Sequence, residues 1–156
     1  MTDQPTLYML IGVPGSGKST WVAKQQWASN CVLLSTDKFI DAYALSIGKT
    51  YNDVFTDYIK TATQMLSKLA ITTTVAETSA IWDQTNLSIK SRRDKIKLFL
   101  GYKRIAVVFP TPNMEELTIR LASRPGKHIS NKVITSMINS FQMPTTEEGF
   151  DEIWYT

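Results

Sequence analysis

The amino-acid sequence predicts a three-layer α/β/α fold with a central parallel sheet. Short apolar runs alternate along the chain with segments whose apolar residues recur at helical spacing, which is typical of parallel strands joined by crossover helices. The first apolar run, Leu7–Ile11, leads directly into a glycine-rich segment, Gly12–Thr20. A strand followed by such a loop and then a helix is the arrangement of P-loop NTPases, so we expect that architecture.

The glycine-rich segment fits the pattern G-x-x-x-x-G-K-[ST] in full. Its glycines let the backbone turn tightly, with N–H groups pointing at a phosphate chain. In this pattern Lys18 reaches the β- and γ-phosphates and the hydroxyl of Ser19 holds Mg²⁺. We therefore expect ATP and Mg²⁺ as cofactors, although GTP or another nucleoside triphosphate satisfies the same loop. The residues predicted to bind the nucleotide here are Gly12, Pro14, Gly15, Ser16, Gly17, Lys18, Ser19 and Thr20.

The 156 residues have the length of one domain, so we expect a single domain over residues 1–156. No apolar run approaches the roughly 20 residues that a membrane span needs, and the first residues do not have a signal-peptide pattern. Cys31 is the single cysteine and His128 the single histidine, which argues against a disulfide and against a Cys/His metal cluster. We expect a cytoplasmic protein with no membrane partner, located in the host cytoplasm if the protein comes from a phage.

Basic residues concentrate in one segment of a chain whose formal net charge is +3. Between Lys90 and Arg104 the single acidic residue is Asp94. Two interpretations stay open, a solvated helix face and a surface that faces a polyanion. The basic residues of this segment are Lys90, Arg92, Arg93, Lys95, Lys97, Lys103 and Arg104.

The remaining elements are predicted from apolar periodicity and capping residues. The predicted strands lie at 7–11, 31–35, 79–82, 105–109 and 153–155. The predicted helices run from the P-loop to about residues 29–30, over 38–46, onward from 53, over 88–100, from Asn113 through Arg124, and after Ser130. Capping side chains for the later helices are Ser35 or Thr36, Asn52, Asn113 and Ser130.

Polar residues follow the first three predicted strands, and ligands of parallel sheets bind at the carboxyl ends of the strands. The candidate segments are the P-loop, Ser35–Asp37 and Asp83–Asn86. A GTPase would carry Asp-x-x-Gly and an Asn-Lys-x-Asp base reader, and a motor or AAA-type ATPase would carry a strand ending in Asp-Glu. None of these is present in the sequence. The layout favours phosphoryl transfer to an acceptor hydroxyl.

In such a transfer Asp37 is placed to take the proton of the hydroxyl as a general base. Arg120 and Arg124 are four residues apart on the predicted helix, so one helix face would carry both over the γ-phosphoryl group. Each residue has a structural alternative: Asp37 as a helix cap, Asp83 and Thr85 as turn formers, and the arginines as partners of the helix dipole. The tryptophans interpreted as packing residues are Trp21, Trp27 and Trp82.

Further motifs extend the P-loop pattern, in order, over nearly the whole chain. They are Ser35-Thr-Asp37, Asp83-Gln-Thr-Asn86 with Arg92-Arg93 following, Arg120 to Arg124, Arg124-Pro-Gly-Lys-His-Ile129, Phe141-Gln-Met-Pro144 and Glu148-Gly-Phe150. With this set the sequence resembles the 5′-kinase domain of polynucleotide kinases, phage-type and animal-type, within the P-loop kinase superfamily. The resemblance implies a kinase-like fold with an arginine-bearing lid.

The resemblance also implies an activity, the ATP-dependent phosphorylation of the 5′-OH of DNA or RNA. Lys18 and Ser19 would serve ATP and Mg²⁺, and Asp37 would be the general base. Asp83 would orient the acceptor or the base, and Arg124, assisted by Arg120, would be the lid arginine that contacts the nucleotide. The candidate substrate-binding residues are then Asp37, Asp83, Thr85 and Asn86.

The sequence departs from this family on the acceptor side. The family often has an arginine directly before the base aspartate, and the phage type has another three residues after it; these positions hold Thr36 and Ile40. The asparagine that often follows the first lid arginine is Leu121. The acceptor therefore stays open among a nucleic-acid 5′ end, a hydroxylated base in phage DNA and a small nucleoside-like alcohol.

The resemblance bears on partners as well. Family members also carry phosphatase or ligase domains, for which this chain has no room, so a separate phosphatase or ligase partner is expected in end repair. Two alternatives lie outside the kinase class. They are a non-catalytic nucleotide-binding module that regulates a partner, and a nucleic-acid-dependent ATPase.

Overall fold

A five-stranded sheet forms the centre of the computed structural model, which describes residues 3–156. The strands are Thr6–Ile11 (β1), Val32–Leu34 (β2), Ala80–Trp82 (β3), Lys103–Val108 (β4) and Glu152–Tyr155 (β5). They lie in the order β2-β3-β1-β4-β5, and every neighbouring pair is parallel. The predicted α/β architecture with a parallel sheet is confirmed, and each predicted strand is found close to its expected position.

Helices pack on both faces of this sheet. They are Lys18–Ala23 (α1), Thr36–Ser46 (α2), Tyr51–Val75 (α3), Ile89–Leu98 (α4), Met114–Ala122 (α5) and Asn131–Asn139 (α6). Short 3₁₀ turns lie at Gln26–Asn30 and Thr146–Glu148. Within residues 3–156, none of the helices is both long enough and apolar enough to cross a membrane.

Alternate residues of β1 point to two different cores, as expected for a strand covered on both faces. Leu7 and Met9 pack with side chains of α3 and α4, including Leu66 and Ile96. Leu10 belongs to the core of the opposite face, which comprises Leu10, Ile81, Ile105, Val107 and Phe109, with Trp21 and Trp27 packed against it. Trp82 is also buried, so the packing interpretation of the tryptophans is confirmed.

The helix after the P-loop is shorter than predicted. It ends at Ala23 rather than near residue 30, and a 3₁₀ turn at Gln26–Asn30 follows. Gln25 between them has an extended backbone, with φ −92° and ψ 114°. This break lets Trp27 turn back onto the sheet, where its ring stacks on Tyr8 at a centroid distance of 4.1 Å.

Three of the predicted helix caps are confirmed, those of α2, α5 and α6 by Ser35, Asn113 and Ser130. The predicted cap at Asn52 is wrong, because α3 begins at Tyr51 and Thr50 caps it. The Thr50 hydroxyl accepts from the Asp53 N–H, and the Asp53 carboxylate accepts from the Thr50 N–H at 2.9 Å. This reciprocal pair satisfies two backbone donors, whereas a single Asn cap satisfies one.

The basic segment divides into buried and exposed residues. Arg92 is 0% exposed and binds both carboxylate oxygens of Glu148, at 2.8 and 3.0 Å. Its Nη1 also donates to the carbonyl oxygens of Asn86 and Leu87. Lys90, Arg93 and Lys97 remain exposed on the outer face of α4. Part of the run is therefore structural, and only the remainder is available to a polyanion.

Candidate active site

The loop between β1 and α1 requires glycine at three positions. Gly15 and Gly17 have φ values of 81° and 98°, in the left-handed region that favours glycine. A Cβ on Gly12 would lie 2.6 Å from Oγ of Ser16 and 2.9 Å from Cβ of Phe109. The predicted P-loop therefore has the tight turn that the motif requires, at the carboxyl end of the central strand.

Lys18 folds back over this loop. Its Nζ donates to the carbonyl oxygens of Gly12 and Val13 at 2.8 and 2.9 Å. Burial lowers the pKa of Lys18 to about 8, against the attraction of the Asp83 and Asp37 carboxylates, which act to raise it. Since an anion in the loop favours the charged form of lysine, a bound phosphate would restore a full positive charge here.

Two carboxylates face the P-loop from neighbouring strands. Asp37 lies in the first turn of α2, after β2, and Asp83 follows β3, which pairs with β2 in parallel. Burial raises the pKa of Asp83, and the Asp37 charge raises it further, while Lys18 lowers it. The structure brings both acidic residues into one cleft with the P-loop, as the positions after the strands predict.

Tyr51 also lines the cleft, and it was not among the predicted site residues. Its phenol Oη donates to Oδ1 of Asp37 at 2.7 Å. Burial together with the Asp37 carboxylate raises the pKa of Tyr51, so the phenol stays protonated and remains a donor. The two residues are joined only by the packing of α2 on α3, and no local sequence pattern signals that contact.

A segment after α5, residues 124–129, which we call the lid, lies against the start of α3. Lys127 Nζ binds Oδ2 of Asp41 at 2.7 Å and lies 4.7 Å from the ring centroid of Tyr51. Asn52 donates its backbone N–H to the Gly126 carbonyl oxygen at 2.9 Å, and its side-chain oxygen accepts from the His128 N–H at 3.0 Å. The lid is therefore fixed to the elements that carry Asp37 and Tyr51.

The two candidate lid arginines do not share a helix face, which corrects the prediction from their spacing. α5 ends at Ala122, and Arg124 lies beyond its C-cap. Arg124 precedes Pro125, and the residue before proline is disfavoured in the helical conformation. Gly126 then turns the chain with φ 69°, and the helix ends two residues earlier than expected.

Both arginines nevertheless approach the P-loop. Arg120 Nη1 donates to the carbonyl oxygen of Gly15 at 2.9 Å, and Nη2 pairs with Glu116. Arg124 lines the cleft, and its charge contributes to the lowered pKa of Lys18. The structure therefore places positive charge from the lid beside the P-loop lysine.

The two remaining candidate substrate residues differ in their positions. Thr85 lines the cleft, and its carbonyl oxygen accepts from the N–H of Gly12 at 3.0 Å. Asn86 is only 2% exposed, and its Nδ2 donates to the carbonyl oxygens of Leu10 and Gln84. Asn86 has φ 48°, a conformation that asparagine tolerates better than most residues. The structure thus corrects the substrate-binding assignment of Asn86, which holds the loop in place instead.

The cleft suits a nucleoside triphosphate and its metal ion. It encloses about 1260 Å³ and is lined by the P-loop, both acidic residues and the lid. The hydroxyl of Ser16 is buried there and forms no hydrogen bond with any residue in 3–156, as expected where a bound ligand supplies the partner. No cluster of three or more His, Cys, Asp or Glu side chains able to hold a metal occurs in the part of the chain described. A single hydroxyl, Ser19, still fits Mg²⁺, which usually keeps several waters and binds substrate phosphates.

The architecture and the P-loop are those of a known protein family. A family model described as an AAA domain matches residues 7–144, from β1 to beyond the lid. The chain belongs to this AAA domain family. This match corrects the expectation that an AAA-type domain carries a strand ending in Asp-Glu, since in this chain Asp83 after β3 is followed by Gln84.

The alignments with two curated relatives extend over nearly all of this AAA domain. Heterogeneous nuclear ribonucleoprotein U-like protein 2 of Homo sapiens is 26% identical over 165 residues, covering 98% of the chain and 22% of the relative. The bifunctional polynucleotide phosphatase/kinase of Schizosaccharomyces pombe is 26% identical over 157 residues, covering 97% and 33%. The chain therefore spans between about a fifth and a third of the length of these relatives.

Solved structures place the AAA domain among kinase folds. A predicted kinase of Chloroflexus aurantiacus superposes with a TM-score of 0.73 at 19% identity, covering 99% of the chain and 86% of that protein. A chain of the Pnkp1/Rnl/Hen1 RNA repair complex superposes with a TM-score of 0.67 at 27% identity, covering 97% and 48%. The AAA domain is a polynucleotide-kinase-like P-loop kinase domain, as the ordered motifs indicated.

Proposed function

We propose that this domain is an ATP- and Mg²⁺-dependent kinase that transfers the γ-phosphate to the 5′-OH of DNA or RNA. One observation carries the proposal: Asp37 and Asp83 meet Lys18 and Arg124 in a single cleft at the carboxyl end of the sheet. In this arrangement the carboxylate supplies a base for the acceptor hydroxyl. The P-loop lysine supplies positive charge for the phosphoryl group. The domain acts as one P-loop kinase unit over residues 1–156 and works in the cytoplasm, where ATP is available.

Each residue has a role in this reaction. The P-loop N–H groups and Lys18 bind the phosphates, and Ser19 supplies the hydroxyl for Mg²⁺, which when bound neutralises phosphate charge. Asp83 orients the acceptor, and Asp37 takes its proton as the new O–P bond forms in line with the bond that breaks to release ADP. Arg124, with Arg120 beside the loop, stabilises the charge on the transferring group.

The acceptor class is supported by the names of similar proteins. A bifunctional polynucleotide phosphatase/kinase, a chain of an RNA repair complex and a fungal RNA kinase all match over nearly the whole domain. Each of these names concerns nucleic acid, so we propose a polynucleotide end as the acceptor. A separate phosphatase or ligase would complete an end-repair reaction that this domain begins.

Transfer of labelled γ-phosphate from ATP, with Mg²⁺, tests this function directly. Matched oligonucleotides would carry a 5′-OH or a blocked 5′ end, in DNA and RNA, with free nucleosides in parallel. We expect label on the 5′-OH oligonucleotides only. Label on nucleosides alone, or on the blocked oligonucleotide through a base, would retain the kinase mechanism and reject the proposed acceptor.

A non-catalytic nucleotide-binding module is the second candidate. It is favoured by the match to heterogeneous nuclear ribonucleoprotein U-like protein 2, whose name specifies no kinase. That reading predicts ATP binding without label on any acceptor in the same assay. Phosphate release to water that rises with added DNA would instead indicate a nucleic-acid-dependent ATPase.

A further inference from the structure

The carboxamide of Gln84 makes three side-chain hydrogen bonds at the acidic end of the cleft. Its Oε1 accepts from the indole Nε1 of Trp82 and from Nζ of Lys95, each at 2.8 Å. Because both partners are donors only, the oxygen must face them and the nitrogen must face away. The nitrogen, Nε2, donates to Oγ1 of Thr36 at 3.2 Å.

This last bond joins the start of α2, which carries Asp37, to the segment after β3, which carries Asp83. Thr36 immediately precedes Asp37, and Gln84 immediately follows Asp83. Within residues 3–156 it is the only hydrogen bond between side chains of segments 35–38 and 83–86. Asp37 and Asp83 repel one another, since the Asp37 charge raises the pKa of Asp83. The bridge opposes that repulsion where the start of α2 meets the segment after β3.

Lys95 fixes the bridging amide from behind. It binds the side-chain oxygens of Gln84 and Asn86 and lies 5.0 Å from the ring centroid of Trp82. In the described chain no carboxylate forms an ion pair with it, and burial lowers its pKa to about 8. A buried cation without a counter-charge is costly. The Gln84 and Asn86 amide oxygens compensate part of that cost, and Lys95 in turn fixes the orientation of both amides.

We propose that Gln84 is a positioning residue, which holds Asp83 and Asp37 at the separation that the acceptor hydroxyl requires. This rests on the proposed function, in which Asp37 takes the proton of that hydroxyl and Asp83 orients it. Displacement of a reacting group by about 1 Å can cost on the order of 100-fold in rate. Loss of the bridge therefore lowers the rate of transfer while nucleotide binding at the P-loop is retained.

A matched pair at Thr36 tests the bridge with one hydroxyl. Thr36→Val removes the acceptor and keeps the shape, Thr36→Ser keeps the hydroxyl, and Gln84→Met removes the amide. For 5′-OH oligonucleotide phosphorylation we expect kcat about tenfold lower in Thr36→Val and in Gln84→Met, and no further loss in the double variant. Thr36→Ser should rescue most of the rate. In all of these variants the KM for ATP should stay within about twofold of the wild-type value. Thr72→Val is the control, because Thr72 is exposed at the far end of α3, and its kcat should match that of the wild type.

A carboxyl NMR titration of Asp83, without nucleotide or acceptor, tests the same geometry apart from activity. Separation of the carboxylates removes the Asp37 repulsion, so the pKa of Asp83 should fall in Thr36→Val and in Gln84→Met but not in Thr36→Ser. A wild-type protein that labels no 5′-OH rejects the proposed function. An Asp83 titration unchanged in Thr36→Val, or rate losses that multiply in the double variant, rejects the positioning role.

Discussion

The Tyr51 hydroxyl donates to Oδ1 of Asp37 at 2.7 Å and so occupies one of the two oxygens of the candidate base. The proton of an acceptor hydroxyl is therefore expected at the other oxygen, Oδ2. Lys127 of the lid lies over the same Tyr51 ring and binds Asp41. The orientation of the base is thus tied to the position of the lid.

Tyr51→Phe should lower kcat for phosphoryl transfer by about tenfold. A hydrogen bond to a charged group contributes about 1.5–3 kcal/mol, and this variant loses the bond that orients the Asp37 carboxylate. The KM for ATP should change little, since the hydrogen bonds of the P-loop lysine go to the Gly12 and Val13 carbonyl oxygens. Steady-state kinetics at saturating oligonucleotide measure both. Tyr58→Phe is the control, as the Tyr58 hydroxyl donates to the sulfur of Met65; equal kcat values in the two variants would contradict the prediction.

Asp37→Ala should abolish transfer and retain ATP binding. Removal of a general base costs about 100-fold or more, whereas the phosphates are held by the loop around Lys18. Labelled transfer and equilibrium dialysis of ATP measure the two properties. Asp57→Ala, on the exposed side of α3, should leave both unchanged. Transfer that survives in Asp37→Ala would show that another group is the base.

The strands and the P-loop are predictable because their patterns are local. An apolar run such as Leu7–Ile11 and the glycines after it carry their own geometric requirements, and parallel pairing then brings Asp37 and Asp83 together. Tyr51 and Gln84 are different, since their contacts join segments 14 and 48 residues apart. Such contacts depend on how helices and loops pack, which periodicity does not specify.

Two local signals in the sequence mark helix boundaries that differ from the predicted ones. Asp53 lies three residues after Thr50, which is the spacing of a capping box, and this pair rather than Asn52 caps α3. Pro125 directly after Arg124 marks the helix boundary that the i, i+4 spacing from Arg120 overlooked. The burial of Arg92 had no such signal, because a charge run does not reveal which residue has a buried partner.

ATP binding should weaken as pH rises through about 8. Burial lowers the pKa of Lys18 to about 8, so the free protein carries the positive charge below that pH and loses it above. Bound phosphates favour the charged form, and binding should therefore take up a proton, with affinity falling about tenfold per pH unit above 8. Dialysis between pH 6.5 and 9.5 and calorimetry in two buffers check this. Lys18→Met should bind weakly with no such slope; a flat wild-type profile would contradict the assignment.

Arg92→Met should unfold at markedly lower urea concentration. It leaves the Glu148 carboxylate buried without its partner, and breaking a buried pair costs about 3–5 kcal/mol. It also frees the Asn86 and Leu87 carbonyl oxygens. The adjacent Arg93→Met is the matched control, since Arg93 is exposed and should change the unfolding midpoint little. Equal midpoints would show that the Arg92 pair contributes no stability.

The exposed basic face of α4 should contact the nucleic acid chain behind its 5′ end. Lys90 and Lys97 are exposed on this helix, and neutralising phosphates releases counterions. Lys90→Ala/Lys97→Ala should weaken oligonucleotide binding and reduce the slope of log affinity against log salt by about 1.5. Lys60→Ala/Lys68→Ala, which removes the same charge from α3, is the control. Equal slopes in the two double variants would assign this face to solvent, and a wild-type affinity independent of salt would point to a small acceptor.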